Sequence, residues 1–96
     1  MRRVEFHPEA YREAEEARSW YEKNLPGLGM AFIDEVQMAV NSIIDNPDMW
    51  PPFGYGTRRF FLRRFPFSVV YRHDATKIQI VAVAHQRRRP GYWKER

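Results

Sequence analysis

The sequence predicts an α+β fold of order β-α-α-β-β-β, a helical hairpin packed on a small, mostly antiparallel sheet. Three observations predict it. Apolar residues in the first half recur at helical spacing in two stretches separated by a Pro-Gly break. From Thr57 onward the apolar period changes to two. The last of these runs, Lys77 to His85, is apolar on both faces, as befits a strand in the middle of a sheet. A length of 96 residues fits one domain spanning 1–96, and 44% hydrophobic with 16% aromatic residues can fill one modest core.

Arg2 to Phe6 reads as a short strand, with Val4 and Phe6 alternating against Arg3 and Glu5. His7-Pro8 opens a helix, because proline suits a first turn where its missing N–H costs nothing. Ala10, Ala14, Ala17 and Tyr21 share one face of it, a stripe small enough for a close neighbour. Asn24-Leu25-Pro26-Gly27 breaks this helix. From Met30 to Asn46, Phe32, Ile33, Val36, Val40, Ile43 and Ile44 hold a second helical period, ended by Asn46-Pro47. Residues 47–56 carry three prolines and two glycines and read as a surface loop anchored by Trp50 and Phe53. In the strand that follows, Arg59, Phe61 and Arg63 share one side, while Phe60 and Leu62 take the other. Phe65-Pro66 marks a turn, Phe67 to Arg72 a strand, and Asp74-Ala75-Thr76 a turn into Lys77 to His85.

The net charge of +4 conceals an asymmetry. Residues 1–56 carry five basic against ten acidic side chains, and residues 57–96 eleven against two, Asp74 and Glu95. Such a split points to a polyanionic partner for the second half. No stretch has the roughly 18 apolar residues of a membrane helix, and the N-terminus lacks an apolar signal run, so a cytoplasmic location is expected. The chain has no cysteine, which excludes disulfides and thiolate metal sites. His7, His73 and His85 lack metal-ligand spacing, so neither metal nor cofactor is expected.

The strongest candidate site is the run from His85 through Gln86, Arg87, Arg88, Arg89, Pro90, Gly91 and Tyr92 to Trp93. Arginine suits phosphate, because its planar fork donates two hydrogen bonds at once and keeps its charge. Tyr92 and Trp93 offer rings for a base to stack on, or alternatively dock the C-terminus onto the sheet. Arg59 and Arg63 add charge from the strand, where they serve a partner or discourage edge pairing. His85, an arginine and Tyr92 also form a workable set for RNA cleavage by a neighbouring 2′-hydroxyl, with base, charge stabiliser and acid in turn. Nucleophile elbow, phosphate-binding glycine loop and paired-carboxylate motifs are all missing.

These residues together carry a family resemblance. Phe6-His7-Pro8-Glu9-Ala10, Trp20-Tyr21-Glu22, Pro26-Gly27-Leu28-Gly29 and Phe32 to Val36 resemble the helical half of RelE/ParE superfamily toxins, the plasmid stabilisation family. Asn46-Pro47, Arg58-Arg59 to Leu62, Arg64-Phe65-Pro66-Phe67, Val69-Val70-Tyr71-Arg72, Ala82 to Arg88 and Pro90 to Trp93 continue it in order. The resemblance implies a RelE/ParE-like fold and the toxin of a bacterial type II toxin–antitoxin pair, held inactive by a cognate antitoxin in a hetero-oligomer. ParE-like members inhibit DNA gyrase, and RelE-like members are ribosome-dependent mRNA endonucleases. In the second case His85, Arg87 and Tyr92 would be catalytic. In the first, Arg59, Arg63, Arg87, Arg88, Arg89 and Trp93 would bind the target. Two positions depart from the RelE pattern: Phe61 stands where a strand lysine is expected, and Ser68 or Val69 where a mid-strand arginine is. Neither replacement can hold a phosphate charge, which favours the ParE-like reading. A third reading keeps the fold only as a non-toxic antitoxin-binding regulatory module.

Overall fold

The computed structural model describes residues 2–96. The order is β1 (Arg3–Phe6), α1 (Pro8–Asn24), α2 (Leu28–Asp45), β2 (Pro52–Gly54), β3 (Thr57–Phe61), β4 (Phe67–His73) and β5 (Lys77–His85). One five-stranded sheet runs β1-β5-β4-β3-β2; β1 lies parallel to β5 and every other pair is antiparallel. Both helices cover one face of it. No helix is long and apolar enough to cross a membrane among the described residues.

Helix α1 starts where proline permits and where a cap is available: the His7 imidazole accepts from the Glu9 N–H at 3.1 Å. His7, which carried no role in the sequence, is thus the N-cap. Ala10, Ala14 and Ala17 are buried as their spacing predicts. Helix α2 begins at Leu28, two residues before the predicted Met30, because its N-terminus is capped from the preceding helix. The Glu22 carboxylate accepts from the Gly27 and Gly29 N–H groups, each at 3.1 Å. Gly27 itself sits at φ 91°, the left-handed conformation that glycine adopts freely.

The core lies between the helices and the sheet. Phe32, Val36, Val40 and Ile43 of α2 meet Val69, Ile78, Ile80 and Val83 of the strands. Tyr21, Phe32, Phe65 and Phe67 form an aromatic cluster with centroid separations of 4.8–6.2 Å, joining both helices to the β3–β4 turn. On the other face Val70, Val81, Ala82 and Ala84 would face water were they not covered by Trp93 of the C-terminal segment.

Two boundaries differ from expectation. The loop of residues 47–56 contains a strand, β2, at the sheet edge, where proline is tolerated because its neighbour on that side is solvent. Strand β3 ends at Phe61, so Arg63 does not share a strand face with Arg59. The chain leaves the sheet there because Glu35 of α2 captures it: the Arg63 and Arg64 N–H groups both donate to Glu35 Oε1.

Candidate target-contacting site

The sheet register brings two basic turns together. Phe67 of β4 lies opposite His85 of β5, and the Gln86 N–H donates to the Pro66 carbonyl at 2.8 Å. The β3–β4 turn with Arg63 and Arg64 therefore abuts the turn after β5 with Arg87, Arg88 and Arg89. All these arginines are exposed. Among the described residues, Arg64 alone of them pairs with a carboxylate, Glu35 at 3.4 Å. A run that is local in sequence thus becomes part of a wider cationic end built from two turns far apart in the chain.

The segment after β5 is held by stacked turns, with i to i+3 bonds from Arg88, Tyr92, Lys94 and Arg96 to His85, Arg89, Gly91 and Trp93. Its far end is fixed by one carboxylate on α1. Glu13 Oε1 accepts from Arg96 Nη1 at 2.9 Å and from the Val83 N–H at 3.0 Å; Oε2 accepts from the Tyr92 hydroxyl at 2.7 Å and from Arg96 Nη2 at 3.0 Å. Arg96 Nη1 also donates to the Val81 carbonyl at 3.1 Å. The physical need is plain. Strand β1 pairs only with Lys77 to Ile80, so beyond Ile80 the β5 edge has no strand beside it. Glu13 and Arg96 supply the partners the missing strand would have given. Burial opposes the Arg96 charge, and Glu13 more than restores it. Burial and the Glu13 carboxylate push the Tyr92 hydroxyl above its ordinary range.

His85 packs edge-on against Phe67 at 5.1 Å, and its Nδ1 accepts from the Arg87 N–H at 3.0 Å. His85 and Arg87 are therefore together, but the Tyr92 hydroxyl is engaged by Glu13. Arg88 lies over the Tyr92 ring at 3.9 Å. Arg59 is half-buried on the sheet face away from the helices, its guanidinium 3.7 Å from the Phe53 centroid and 4.4 Å from that of Phe61. Trp93 is 1% exposed and stacked on Phe53 at 4.9 Å, so it offers no ring face to a base. It is drawn inward because the apolar outer face of β4 and β5 needs a cover. Of the two roles expected of Trp93, target contact and docking of the C-terminus onto the sheet, docking is the one this packing displays.

Beside the basic end, α1 and the open edge of β5 enclose a groove of about 540 Å³, lined by Glu13, Trp20, Tyr21, Phe67, His85 and Arg88 among others. Trp20 is 60% exposed at its rim. Among the described residues no group of three His, Cys, Asp or Glu side chains is disposed to hold a metal ion. Glu13, Glu35 and Arg96 escaped sequence reasoning. Glu13 and Glu35 look like any acids on an amphipathic helix, and only the tertiary fold aims them at backbone donors. The one usable signal was the excess of acids in the helical half over what the few local bases can pair.

Residues 4–90 match the sequence profile described as "ParE toxin of type II toxin-antitoxin system, parDE". No curated protein sequence matches the chain. Among solved structures, a chain of the "Chromosomal ParDE TA system from P. aeruginosa" superposes with a TM-score of 0.77 at 19% identity, covering 88% of this chain and 96% of that one. At that identity the likeness is one of fold.

Proposed function

Because the chain belongs to the ParE toxin family of type II toxin–antitoxin systems, we propose that it arrests growth from the cytoplasm by inhibiting a nucleic-acid-handling target, DNA gyrase, and is neutralised by a cognate antitoxin. The observation that carries this reading is the cationic end, where Arg63 and Arg64 meet Arg87, Arg88 and Arg89. Arg63, Arg87, Arg88 and Arg89 pair with no carboxylate among the described residues; guanidinium groups so placed are suited to an anionic surface, and their field speeds encounter with it. The groove between α1 and β5 is the natural seat for an antitoxin segment: it has aromatic walls for apolar side chains and Arg88 at its margin for an acidic one.

Binding is favoured over RNA cleavage by the state of Tyr92. An acid must release its proton to a leaving oxygen, whereas this hydroxyl donates to Glu13 and is held above its ordinary range. The positions of Phe61 and Ser68 opposite one another on the sheet, both uncharged, weigh the same way.

Purified protein added to gyrase and relaxed plasmid is the test. Supercoiling stops as the protein approaches saturation if the proposal holds, and undiminished supercoiling at saturation rejects gyrase as the target. Primer extension on ribosome-bound message checks the alternative, since cuts within codons would establish the endonuclease. Induced expression without growth arrest, in the absence of an antitoxin, would instead favour the regulatory module.

A further inference from the structure

We infer that Glu13 is the positioning residue of the basic turn, orienting Arg88 from helix α1 through Tyr92. The inference rests on the reading of Arg87 to Arg89 as target-contacting.

The backbone of this turn is hydrogen-bonded, but its arginine side chains have little to hold them. Gln86 to Pro90 are exposed, and no carboxylate pairs with Arg87, Arg88 or Arg89 among the described residues. What fixes the direction of Arg88 is the Tyr92 ring beneath its guanidinium at 3.9 Å. That ring is fixed in turn by its hydroxyl, which donates to Glu13 at 2.7 Å, and by Arg96, whose guanidinium lies 5.1 Å from the ring and is bound by both Glu13 oxygens. Glu13 and Arg96 side chains are only 15% and 14% exposed, so this pairing is shielded from solvent and salt in a way the arginines are not. The chain Glu13–Tyr92–Arg88 therefore runs from two partly buried groups to an exposed contact. Aromatic support alone would leave the ring free to swing; the carboxylate removes that freedom before any target arrives, so its ordering cost does not fall on binding.

The geometry also explains why the anchor is an acid on α1 and not a residue of the turn. Glu13 must accept from the Val83 N–H at the open β5 edge in any case. One side chain thereby satisfies the edge and fixes the tail, which couples the turn to the rigid helical layer.

The experiment uses the full chain with Glu13→Gln, Arg88→Ala and the double variant, read by hydrogen exchange and by inhibition of gyrase supercoiling. Glutamine keeps an acceptor for Val83 but cannot hold the charged Arg96 fork. The expected result is lost protection confined to residues 86–96, inhibition weakened by about tenfold, and no further loss when Glu13→Gln is added to Arg88→Ala. Tyr92→Phe, which keeps the ring and Arg96 in place, should weaken inhibition less than Glu13→Gln. Unchanged protection of the tail, or losses that simply add in the double variant, would overturn the inference. A Glu13→Gln chain that loosens throughout overturns it as well, since that is a stability role. Should Arg88→Ala inhibit as well as the parent, it is the target-contacting reading that falls, and tail protection still decides the anchoring by itself.

Discussion

Tyr71 shows how much a single polar atom determines inside this molecule. The residue is 0% exposed, and its hydroxyl donates to the Pro47 carbonyl at 2.5 Å, tying β4 to the start of the loop after α2. Removing the hydroxyl leaves that carbonyl without its partner in a buried place, so Tyr71→Phe is expected to cost about 1–2 kcal/mol in urea unfolding at neutral pH. Burial chiefly raises the Tyr71 hydroxyl to about 12, with Arg58 lowering it and Asp48 raising it less. A folded value above the unfolded one means the neutral form is favoured by folding. Its contribution is complete below about pH 10 and is lost as pH rises toward 12. Melting temperature should therefore fall over that window, and fall less steeply in Tyr71→Phe; equal slopes would contradict the assignment. None of this was legible from the sequence. Tyr71 reads as an alternating strand residue, and its acceptor is 24 positions away. Residue roles that depend on a distant backbone atom, as those of Glu13 and Glu35 do, leave no local pattern to read.

Elements were far more legible, since their signals are periodic. The two helices follow from apolar spacing, and the burial of Ala10, Ala14, Ala17, Phe32, Val36, Val40 and Ile43 agrees with it. What spacing cannot express is how close the helices come. A Cβ on Gly29 would sit 2.7 Å from the Arg18 carbonyl oxygen and 3.0 Å from Glu22, so Gly29→Ala forces the hairpin apart. A loss of about 1–3 kcal/mol is expected from such overpacking, checked by thermal unfolding; a stabilised variant would show that the hairpin yields freely. Strand β2 was hidden by Pro52 within it and Pro51 before it, and the end of β3 by the absence of any breaker before Arg63. That end is set by Glu35, whose carboxyl is partly desolvated yet held below its usual range by the Arg64 and Arg63 N–H groups and the Arg64 side chain. A depressed carboxyl contributes above its unfolded value and loses that contribution as pH falls through the folded one. Glu35→Gln should thus destabilise the protein at neutral pH, with the gap from the parent closing below about pH 4. A gap that persists unchanged into acid would mean the charge is irrelevant.

At the scale of the whole molecule, the charge split between halves acquires a geometry. The acids of the helical half are spent partly inward: Glu13 holds the tail, Glu22 caps α2 and Glu35 holds the β3–β4 turn. Arg63, Arg64, Arg87, Arg88 and Arg89 of the strand half are left outward at one end of the sheet. The sequence pointed to the cationic segment and, through its resemblance, to the family that residues 4–90 match. It did not reveal that Arg64 joins this end, which follows from strand register, and it left open whether Trp93 meets a partner or docks on the sheet, where it covers the outer face. This end is proposed as the toxic surface. Replacing Arg87, Arg88 and Arg89 together by alanine, and following growth after induction alongside the melting temperature of the purified variant, tests it most directly. Growth arrest is expected to disappear while the melting transition stays cooperative and near that of the parent. A variant that is folded and still arrests growth would contradict it.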